Sequence, residues 1–341
     1  MSRFLGALRR EAVDVTPIWL MRQAGRSLPE YRKIRERYTL EDIVAEPDLC
    51  AEVTLQPVRR LDVDAAVMFA DIMLPLRGMG VDFELVEGVG PVVSTPIRSS
   101  QDVDRLGAPD GQEAAPQVIT AVRRVAAESP VPVICFAGAP WTLASYLVEG
   151  QPSRQHTMIK QFMYREPDAF DRLLGKLARV MVGYLAAQVG AGAQAVQLFD
   201  SWVGALARED YESRVAPHTA AIFGALASLG VPRIHFGTGT AGLLEAIAAT
   251  RPDAVSLDWR VPLDDGWVRV GSDLAVQGNL EPAVLLGPPE LVRERARDVL
   301  RRAGGRRGHV FNLGHGVLPE TPLEHLQLLV ETVREGIPAV V

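Results

Sequence analysis

Residues 131–138, VPVICFAG, form a short and almost unbroken apolar run that contains three β-branched side chains. Seven similar runs recur along the chain, and they are PIWLM (17–21), AAVMFAD (65–71), AQAVQLFD (193–200), VPRIHFG (231–237), AVSLD (254–258), AVQGN (275–279) and HVFNLG (309–314). Parallel strands buried on both faces have this near-continuous apolar character, whereas half-exposed antiparallel strands alternate. The runs therefore predict eight buried strands.

Helical patterns, with apolar residues at three- and four-residue spacing, separate most of these runs. Examples are residues 167–189, 208–229, 288–303 and 322–335. The alternation of strands and helices predicts an α/β fold, a single (β/α)8 TIM-type barrel domain over residues 1–341. A doubly wound open sheet is the alternative, but it usually has a GxGxxG turn after an early strand, and the first run here leads into MRQAGR. Residues 81–97 predict a small hairpin inserted after the second strand.

The composition is that of an ordinary globular protein, because 48% of the 341 residues are hydrophobic and 23% are charged. A net charge of −6 and the absence of a long basic run argue against a nucleic-acid partner. The only cysteines, Cys50 and Cys135, exclude a disulfide framework, so a reducing cytoplasm is the expected compartment. The N-terminal apolar stretch is too short for a signal peptide, and no window has the roughly 18 apolar residues of a membrane span.

The residues at the ends of the predicted strands include acidic, polar and cationic groups. They are Arg22, Asp71, residues 136–141, Asp200 with Ser201, Gly237, Asp258, Asn279 and His315. Caps and solvated loop starts account for some polar strand ends in any barrel. Because the carboxyl ends of barrel strands share one mouth, where active sites form, the density of acidic, polar and cationic groups favours a ligand site there.

The segment PIWLMRQAGRSLPEYRKIRERY, residues 17–38, places Arg22 and Arg26 on either side of Gly25 and adds the amide of Gln23. Two guanidinium groups beside a flexible glycine suit the bidentate capture of carboxylates. A lone RxxxR usually marks exposed arginines at the start of a helix, but the whole phrase ending in LPEYR is more specific. The segment therefore predicts a site for a polycarboxylate.

This segment resembles the first signature of the uroporphyrinogen decarboxylase family, and FAGAPWTLASYLVEG (136–150) resembles the second. Four further segments resemble the family in the same order: FADIMLPL (69–76), QLFDSWVG (197–204), VQGNL (276–280) and FNLGHGVLPETP (311–322). The similar segments run from Pro17 to Pro322. Cys135 departs from the family's usual glycine, and we expect a packing variant there.

The resemblance implies a carboxy-lyase of porphyrin and haem biosynthesis that needs no metal or organic cofactor. Such an enzyme converts the four acetate side chains of uroporphyrinogen III to methyls and yields coproporphyrinogen III and four CO2. An acetate loses CO2 only if the electron pair left behind has a sink, and a pyrrole protonated beside its nitrogen is one. The protein must then stabilise a transient cation and supply protons. The resemblance also implies a homodimer.

Asp71 is the residue expected to stabilise the cation. An ionised carboxylate only accepts hydrogen bonds and has about four lone-pair sites, which suit the four inward N–H groups of a tetrapyrrole. One ion pair at ~4 Å and an effective dielectric near 20 contributes roughly 4 kcal/mol before desolvation. A strand-end aspartate otherwise caps the next helix. The resemblance implies that Asp71 is the catalytic, transition-state-stabilising carboxylate.

The resemblance implies that Arg22 is the second catalytic residue, as the proposed proton donor. A guanidinium is a poor acid, so delivery through a water or a substrate carboxylate held by Arg22 is an alternative. The substrate-binding residues that it implies are Arg22, Gln23, Ala24, Gly25, Arg26, Asp71, Tyr146, Ser201 and His315.

The remaining histidines have no metal-binding spacing, so structural or surface roles are expected for them. They are His156, His218, His235, His309 and His325. Asp258, Trp259 and Arg260 follow the sixth run, and the sequence leaves open whether they contact the site.

Two alternatives to the decarboxylase remain. A zinc-dependent corrinoid or coenzyme M methyltransferase of the same fold family needs a His-x-Cys pair and a later cysteine. Here the stretch reads His235-Phe236-Gly237, and no cysteine follows Cys135. The second alternative is a tetrapyrrole-binding protein without catalysis, which only a turnover experiment distinguishes.

Overall fold

A computed structural model describes residues 2–25, 27–86 and 88–337. The strands are β1 (Ala66–Val67), β2 (Phe83–Val86), β3 (Gly90–Val93), β4 (Val133–Gly138), β5 (Ala195–Asp200), β6 (Arg233–Gly237), β7 (Ala254–Ser256), β8 (Ala275–Gln277) and β9 (His309–Val310). The α-helices are α1 (Arg3–Leu8), α2 (Pro29–Arg35), α3 (Leu40–Ala45), α4 (Pro47–Leu61), α5 (Leu74–Gly78), α6 (Ser100–Arg105), α7 (Pro116–Glu128), α8 (Pro140–Glu149), α9 (Thr157–Arg165), α10 (Pro167–Gly190), α11 (Arg208–Asp210), α12 (Ala216–Leu226), α13 (Leu244–Ala249), α14 (Leu263–Val270), α15 (Pro289–Ala303) and α16 (Leu323–Glu335).

One parallel sheet organises the chain. The strands β1, β4, β5, β6, β7, β8 and β9 pair side by side in that order, and helices lie between consecutive strands along the chain. Strands β2 and β3 form a separate antiparallel hairpin after β1, with Phe83 opposite Val93. The sheet curls into an α/β barrel, which confirms the predicted fold class.

The prediction of a strand at residues 17–21 is wrong in detail. Only a single parallel bridge forms there, between Ile18 and Phe311. Side chains take the place of the missing ladder: the Ile18 N–H donates to Asp64 Oδ2 at 2.8 Å, and the Met21 N–H donates to Asn312 Oδ1 at 3.0 Å. The Ile18 carbonyl accepts the Asp64 N–H at 2.8 Å, so this segment still lies between β9 and β1.

The barrel interior combines an apolar cluster with one polar layer. Ile134, Ile234 and Val310 belong to the cluster, which includes residues of α1, and α1 packs on β8 and β9. The Gln277 side chain crosses the polar layer: its Oε1 accepts from Trp19 Nε1 at 2.8 Å, and its Nε2 donates to neighbouring side chains. Since buried polar groups are costly when unpaired, this layer fixes which side chains face inward.

The helix predicted over residues 208–229 is interrupted. The π-helical turn Tyr211–Val215 separates α11 from α12, and the last turn, Ala227–Leu229, is a 3-10 helix. Pro217 lacks an N–H and cannot donate to the carbonyl four residues earlier. The Ala216 N–H instead bonds the Tyr211 carbonyl five residues back. Proline chemistry therefore explains the break.

Cys135 lies on β4 and is 1% exposed, as expected of a packing variant. Burial raises the pKa of the Cys135 thiol well above its usual value. Cys50 is also buried, and its Sγ lies 3.1 Å from the Phe69 carbonyl. No helix among the described residues is both long and apolar enough to span a bilayer.

Candidate active site

Asp71 lies in the loop that follows β1, and it is half-buried. Its Oδ1 accepts the Met73 N–H at 2.9 Å, which fixes the orientation of the carboxylate. Burial raises the pKa of Asp71, while the Met73 N–H and the positive charge of Arg22 oppose that increase. The charge of Glu41 adds to it. The carboxylate is therefore poorly solvated and gains from any cation brought next to it.

Arg22 is exposed and has a positive φ of 60°. Gly316 packs directly against its side chain, because a Cβ at Gly316 would stand 2.4 Å from Arg22 Cδ. The Arg22 side chain occupies the space that a side chain at position 316 would need. Electrostatic coupling of Arg22 to both Asp71 and Tyr146 places the three side chains in one neighbourhood.

Tyr146 is half-buried on α8, and its ring meets Trp202 edge to face with centroids 6.0 Å apart. Burial raises the pKa of Tyr146. A hydrogen bond with the Trp202 side chain lowers that pKa, the charge of Asp71 raises it, and the charge of Arg22 lowers it. The phenol therefore keeps its proton at neutral pH and can donate a hydrogen bond to a carboxylate.

The structure does not support Gln23 as a direct contact of a substrate. Its side chain is 1% exposed, and both ends of the amide are used. Oε1 accepts the Leu20 N–H at 2.9 Å, and Nε2 donates to the Ala65 carbonyl at 2.8 Å. Gln23 instead ties residues 17–21 to the start of β1. Both ends of the Gln23 amide are hydrogen-bonded to backbone groups, and the sequence alone did not show this.

The neighbours of Gln23 are packed in different ways. Ala24 is 8% exposed, and Gly25 is buried with a positive φ of 107°. A side chain at Gly25 would be strained by that φ and would contact the rings of Tyr31 and Phe69. The predicted contact Arg26 lies outside the described residues.

His315 is half-buried in the loop after β9, between two glycines. Its ring lies edge to face with Phe236 at 6.0 Å and with Trp259 at 6.5 Å. A Cβ at Gly314 would stand 2.4 Å from the backbone nitrogen of Trp259, so only glycine allows this approach. Ser201 is half-buried directly after β5, and its carbonyl accepts a hydrogen bond from the Thr238 hydroxyl.

Three aromatic rings pack together near the ends of β4, β5 and β6, and only Phe136 was among the predicted strand-end residues. Phe199 packs edge to face on Phe136 at 5.2 Å and on Phe236 at 5.6 Å. Phe136 and Phe199 are partly exposed near the ends of β4 and β5. Such rings offer an apolar surface beside the polar groups, which suits a flat ligand with a charged rim. Their positions in the sequence could have indicated this: Phe136 lies two residues before the end of β4, and Phe199 lies one residue before the end of β5.

Two acids at strand ends, Asp258 and Asp200, have structural partners, and so does the amide of Asn279. Asp258 is 1% exposed and accepts the N–H of Gly239 and, at 3.0 Å, the N–H of Arg260. Asn279 Nδ2 donates to the Asp258 carbonyl at 2.8 Å and to the Val261 carbonyl at 2.6 Å. These side chains satisfy loop backbone groups that would otherwise be buried without partners.

Asp200, the other acid, is completely buried. Its Oδ1 accepts the Thr142 hydroxyl at 2.8 Å, and its Oδ2 lies 3.6 Å from His235 Nε2. Thr142 Oγ1 in turn accepts the Trp202 N–H at 3.2 Å. Through these contacts Asp200 holds the loop that carries Trp202 beside Tyr146.

Replacing Thr142 by valine is expected to lower the free energy of unfolding by about 2 kcal/mol. The variant keeps the shape but leaves the Asp200 carboxylate and the Trp202 N–H each short of a buried partner. Urea denaturation measures the change. Thr120 is exposed and bonds only its own helix at Pro116, so Thr120→Val is the control and should stay within about 0.5 kcal/mol of the parent. Equal stability of the two variants would contradict the assigned role.

The five remaining histidines have structural surroundings. His235 is buried, faces the Phe223 ring of α12 at 6.1 Å, and lies between two residues of the interior cluster. By strand alternation its side chain therefore points away from the barrel interior. His309 bonds the Gly278 carbonyl, and His325 bonds the Leu285 carbonyl. His218 pairs with Asp171, and His156 packs between Trp141 and Trp202. Within the ranges that the structure describes, no three histidine, cysteine or acidic side chains group as metal ligands.

Comparison with known proteins identifies the family. The sequence profile of the family described as uroporphyrinogen decarboxylase (URO-D) matches residues 1–336. The chain belongs to the uroporphyrinogen decarboxylase family. It is 51% identical to the uroporphyrinogen decarboxylase of Sorangium cellulosum over 97% of this chain and 95% of that protein. It is 52% identical to the uroporphyrinogen decarboxylase of Thermobifida fusca over 97% of this chain and 92% of that protein.

Solved structures share the fold beyond the uroporphyrinogen decarboxylase family. A methyltransferase from Methanosarcina mazei superposes with a TM-score of 0.82 at 19% identity, covering 98% of this chain and 97% of that one. A B12-independent methionine synthase from a Shewanella species superposes with a TM-score of 0.58 at 13% identity, covering 87% and 90%. At these identities the likeness shows the α/β barrel fold alone.

Proposed function

We propose that this chain decarboxylates the four acetate side chains of uroporphyrinogen III to methyls, releasing coproporphyrinogen III and four CO2. The observation that carries the proposal is the family match over residues 1–336, because it covers the whole set of candidate residues. The coupling of Asp71, Arg22 and Tyr146 in one neighbourhood supports it.

Asp71 is proposed to act on the macrocycle centre. Its carboxylate accepts hydrogen bonds from the inward pyrrole N–H groups and stabilises the ring that becomes cationic on carbon protonation. The ionised form is required for this role, and the incoming cation favours ionisation of a carboxylate that burial otherwise disfavours. The pyrrole supplies the electron sink, so the chemistry needs no metal or organic cofactor.

Arg22, Tyr146, Ser201 and His315 are proposed to bind carboxylates at the rim of the macrocycle. Tyr146 keeps its proton at neutral pH because burial raises its pKa, so it can donate to a carboxylate. Arg22 is exposed and lies close enough to Asp71 for their charges to interact. We therefore propose that Arg22 holds a substrate carboxylate or a water, and that this held group delivers the proton. The substrate contacts through Ala24, Gly25 and Arg26 remain proposals from the family.

The proposed function predicts turnover of uroporphyrinogen III without added metal. The purified protein is incubated anaerobically with uroporphyrinogen III, and the products are oxidised and separated by their number of carboxylates. We expect hepta-, hexa- and pentacarboxylate intermediates followed by the tetracarboxylate, with the same rate after treatment with a chelator. Binding without any loss of CO2 would favour the non-catalytic tetrapyrrole-binding protein, and a chelator-sensitive methyl transfer would favour the zinc enzyme.

The organisation of the protein in solution is also a proposal. From the family we propose that residues 1–341 form one domain, that the enzyme is a homodimer, and that it works in the cytoplasm. The buried thiols Cys50 and Cys135 are consistent with a reducing compartment, since no disulfide joins them.

A further inference from the structure

Arg260 follows β7 and is held in place by its neighbour Asp258. Its Nη1 lies 2.8 Å from Asp258 Oδ2, and its backbone N–H donates to Asp258 Oδ1 at 3.0 Å. Asp258 Oδ2 also accepts the Gly239 N–H. The buried carboxylate therefore accepts from three donors, and it holds the guanidinium group in place.

Trp259 connects Arg260 to the candidate active site. The Arg260 Cζ lies over the Trp259 ring at 4.0 Å from its centroid. The same ring meets His315 edge to face at 6.5 Å, and the Trp259 backbone nitrogen packs against Gly314. The guanidinium group is thus stacked on the residue that forms one wall beside His315.

The outer side of this guanidinium group is open. The side chain of Arg260 is 50% exposed, whereas that of Asp258 is 1% exposed. A guanidinium has five N–H donors, and the contact with Asp258 uses only part of them. Arg260 and Trp259 also border a cavity of about 280 Å³ that Asn279 and Leu280 help to line. The lining of this cavity also includes Glu281, Asp298 and Arg302, and it does not include Asp71, Tyr146 or His315. A rigidly held, half-exposed cation beside open space is suited to binding an anion.

The substrate proposed above carries more carboxylates than the two arginines beside Gly25 can pair. Uroporphyrinogen III carries eight carboxylates, and the two arginines that flank Gly25 in the sequence are Arg22 and Arg26. Arg260 comes from a different strand end, and the Trp259 ring on which it stacks contacts His315. We propose that Arg260 binds a carboxylate side chain of the tetrapyrrole at the His315 side of the mouth, an inference that rests on the proposed function. Arg260 is then a specificity-determining residue that favours highly carboxylated substrates.

Arg260 could instead have a purely structural role, in which its side chain only packs on the Trp259 ring. Substitutions that separate packing from charge distinguish this role from carboxylate binding. Arg260→Met keeps an unbranched side chain over the ring but removes the charge. Arg260→Lys keeps the charge. The matched control is Arg123→Met, because Arg123 is exposed on α7 and its loss changes the net charge equally. A merely structural residue would tolerate methionine at least as well as lysine.

The test measures two quantities for each variant under anaerobic conditions. The first is the Kd of uroporphyrinogen III from the quenching of tryptophan fluorescence, at low and at raised salt. The second is the KM and kcat of its decarboxylation. For Arg260→Met we expect Kd and KM to rise about tenfold at low salt, kcat to stay within about twofold, and the salt dependence of Kd to weaken. Arg260→Lys should restore Kd to within about threefold.

Two results overturn the proposal. One is an Arg260→Met variant that binds uroporphyrinogen III as tightly as Arg123→Met. The other is an Arg260→Lys variant as weak as Arg260→Met, which would assign the loss to packing. If the wild-type protein binds the compound without converting it, the proposed function fails and the Kd comparison still decides on Arg260. If the wild-type protein neither binds nor converts it, both proposals fail.

Discussion

Asp71→Asn is expected to lower kcat about a thousandfold while leaving the fold intact. The variant keeps the size and the Met73 contact at Oδ1 but removes the negative charge. An ion pair of roughly 4 kcal/mol with the cationic pyrrole, lost from the transition state alone, corresponds to a rate loss of that size. Steady-state and single-turnover rates with anaerobic uroporphyrinogen III measure it. The Kd of the substrate should change less than kcat, because Oδ1 of the amide can still accept from a neutral pyrrole N–H, although Nδ2 cannot.

The matched control for this change is Asp273→Asn. The Asp273 side chain is 98% exposed, so its charge is solvated and should not affect turnover. A kcat of Asp71→Asn within about threefold of that of Asp273→Asn would remove Asp71 from the mechanism. Single-turnover rates keep a slow product-release step from hiding the effect.

The pKa of Asp71 gives a second readout of the same variant. Burial raises this pKa above 3.8, so between 3.8 and the raised value the folded state holds a proton that the unfolded state has lost. Stability therefore falls as the pH rises through that window, and the cost persists at neutral pH. Asp71→Asn has no charge to desolvate, so it should be at least as stable as the parent at pH 7. Activity should show the opposite trend, with an acid limb above the usual aspartate range, because catalysis needs the ionised form.

Gly316→Ala is expected to lower kcat/KM about 10- to 100-fold through Arg22. A Cβ at Gly316 would lie 2.4 Å from Arg22 Cδ and 2.7 Å from Cγ, which are side-chain atoms. The arginine must therefore move while the backbone of both residues stays in place. The loss of one charge-assisted hydrogen bond to a substrate carboxylate accounts for an effect of this size. The measurement is kcat/KM for uroporphyrinogen III, with thermal unfolding to confirm the fold.

A double-mutant cycle makes this prediction specific. If Gly316→Ala acts only by displacing Arg22, then adding it to Arg22→Ala should cost little more. Gly224→Ala is the control, because Gly224 lies on α12 and a Cβ there meets nothing within 4 Å. Additive losses in the double variant would show that Gly316 acts independently of Arg22, and the proposed packing would be wrong.

The fold could be predicted from the sequence to the extent that strand burial is visible in it. The runs at 131–138 and 193–200 became β4 and β5, because strands buried on both faces must be apolar throughout. Residues 17–21 have the same pattern but form a single bridge. Their hydrogen bonds go to Asp64 and Asn312, and partners so distant in the chain cannot be identified from one sequence.

The sequence identified candidate site residues by their type and motif, but it did not show which polar side chains bind backbone groups of the protein instead. Arg22 and Asp71 were identified from the motif, and their charges interact in the structure. Gln23 and Asp258 have the same polar character but satisfy backbone groups instead. Whether an amide or a carboxylate faces a ligand or a loop depends on neighbours from other strands. Trp202 lies in the family-like segment 197–204, but nothing in the sequence indicated its hydrogen bond with Tyr146.

The central claim is that the Asp71 carboxylate lies beneath the centre of the macrocycle and stabilises the ring as it becomes cationic. A crystal structure with coproporphyrinogen III bound tests it most directly. We predict both Asp71 oxygens within hydrogen-bonding distance, about 2.7–3.2 Å, of inward pyrrole nitrogens. A bound macrocycle whose nitrogens face another group, with the Asp71 oxygens turned away from them, would contradict the claim.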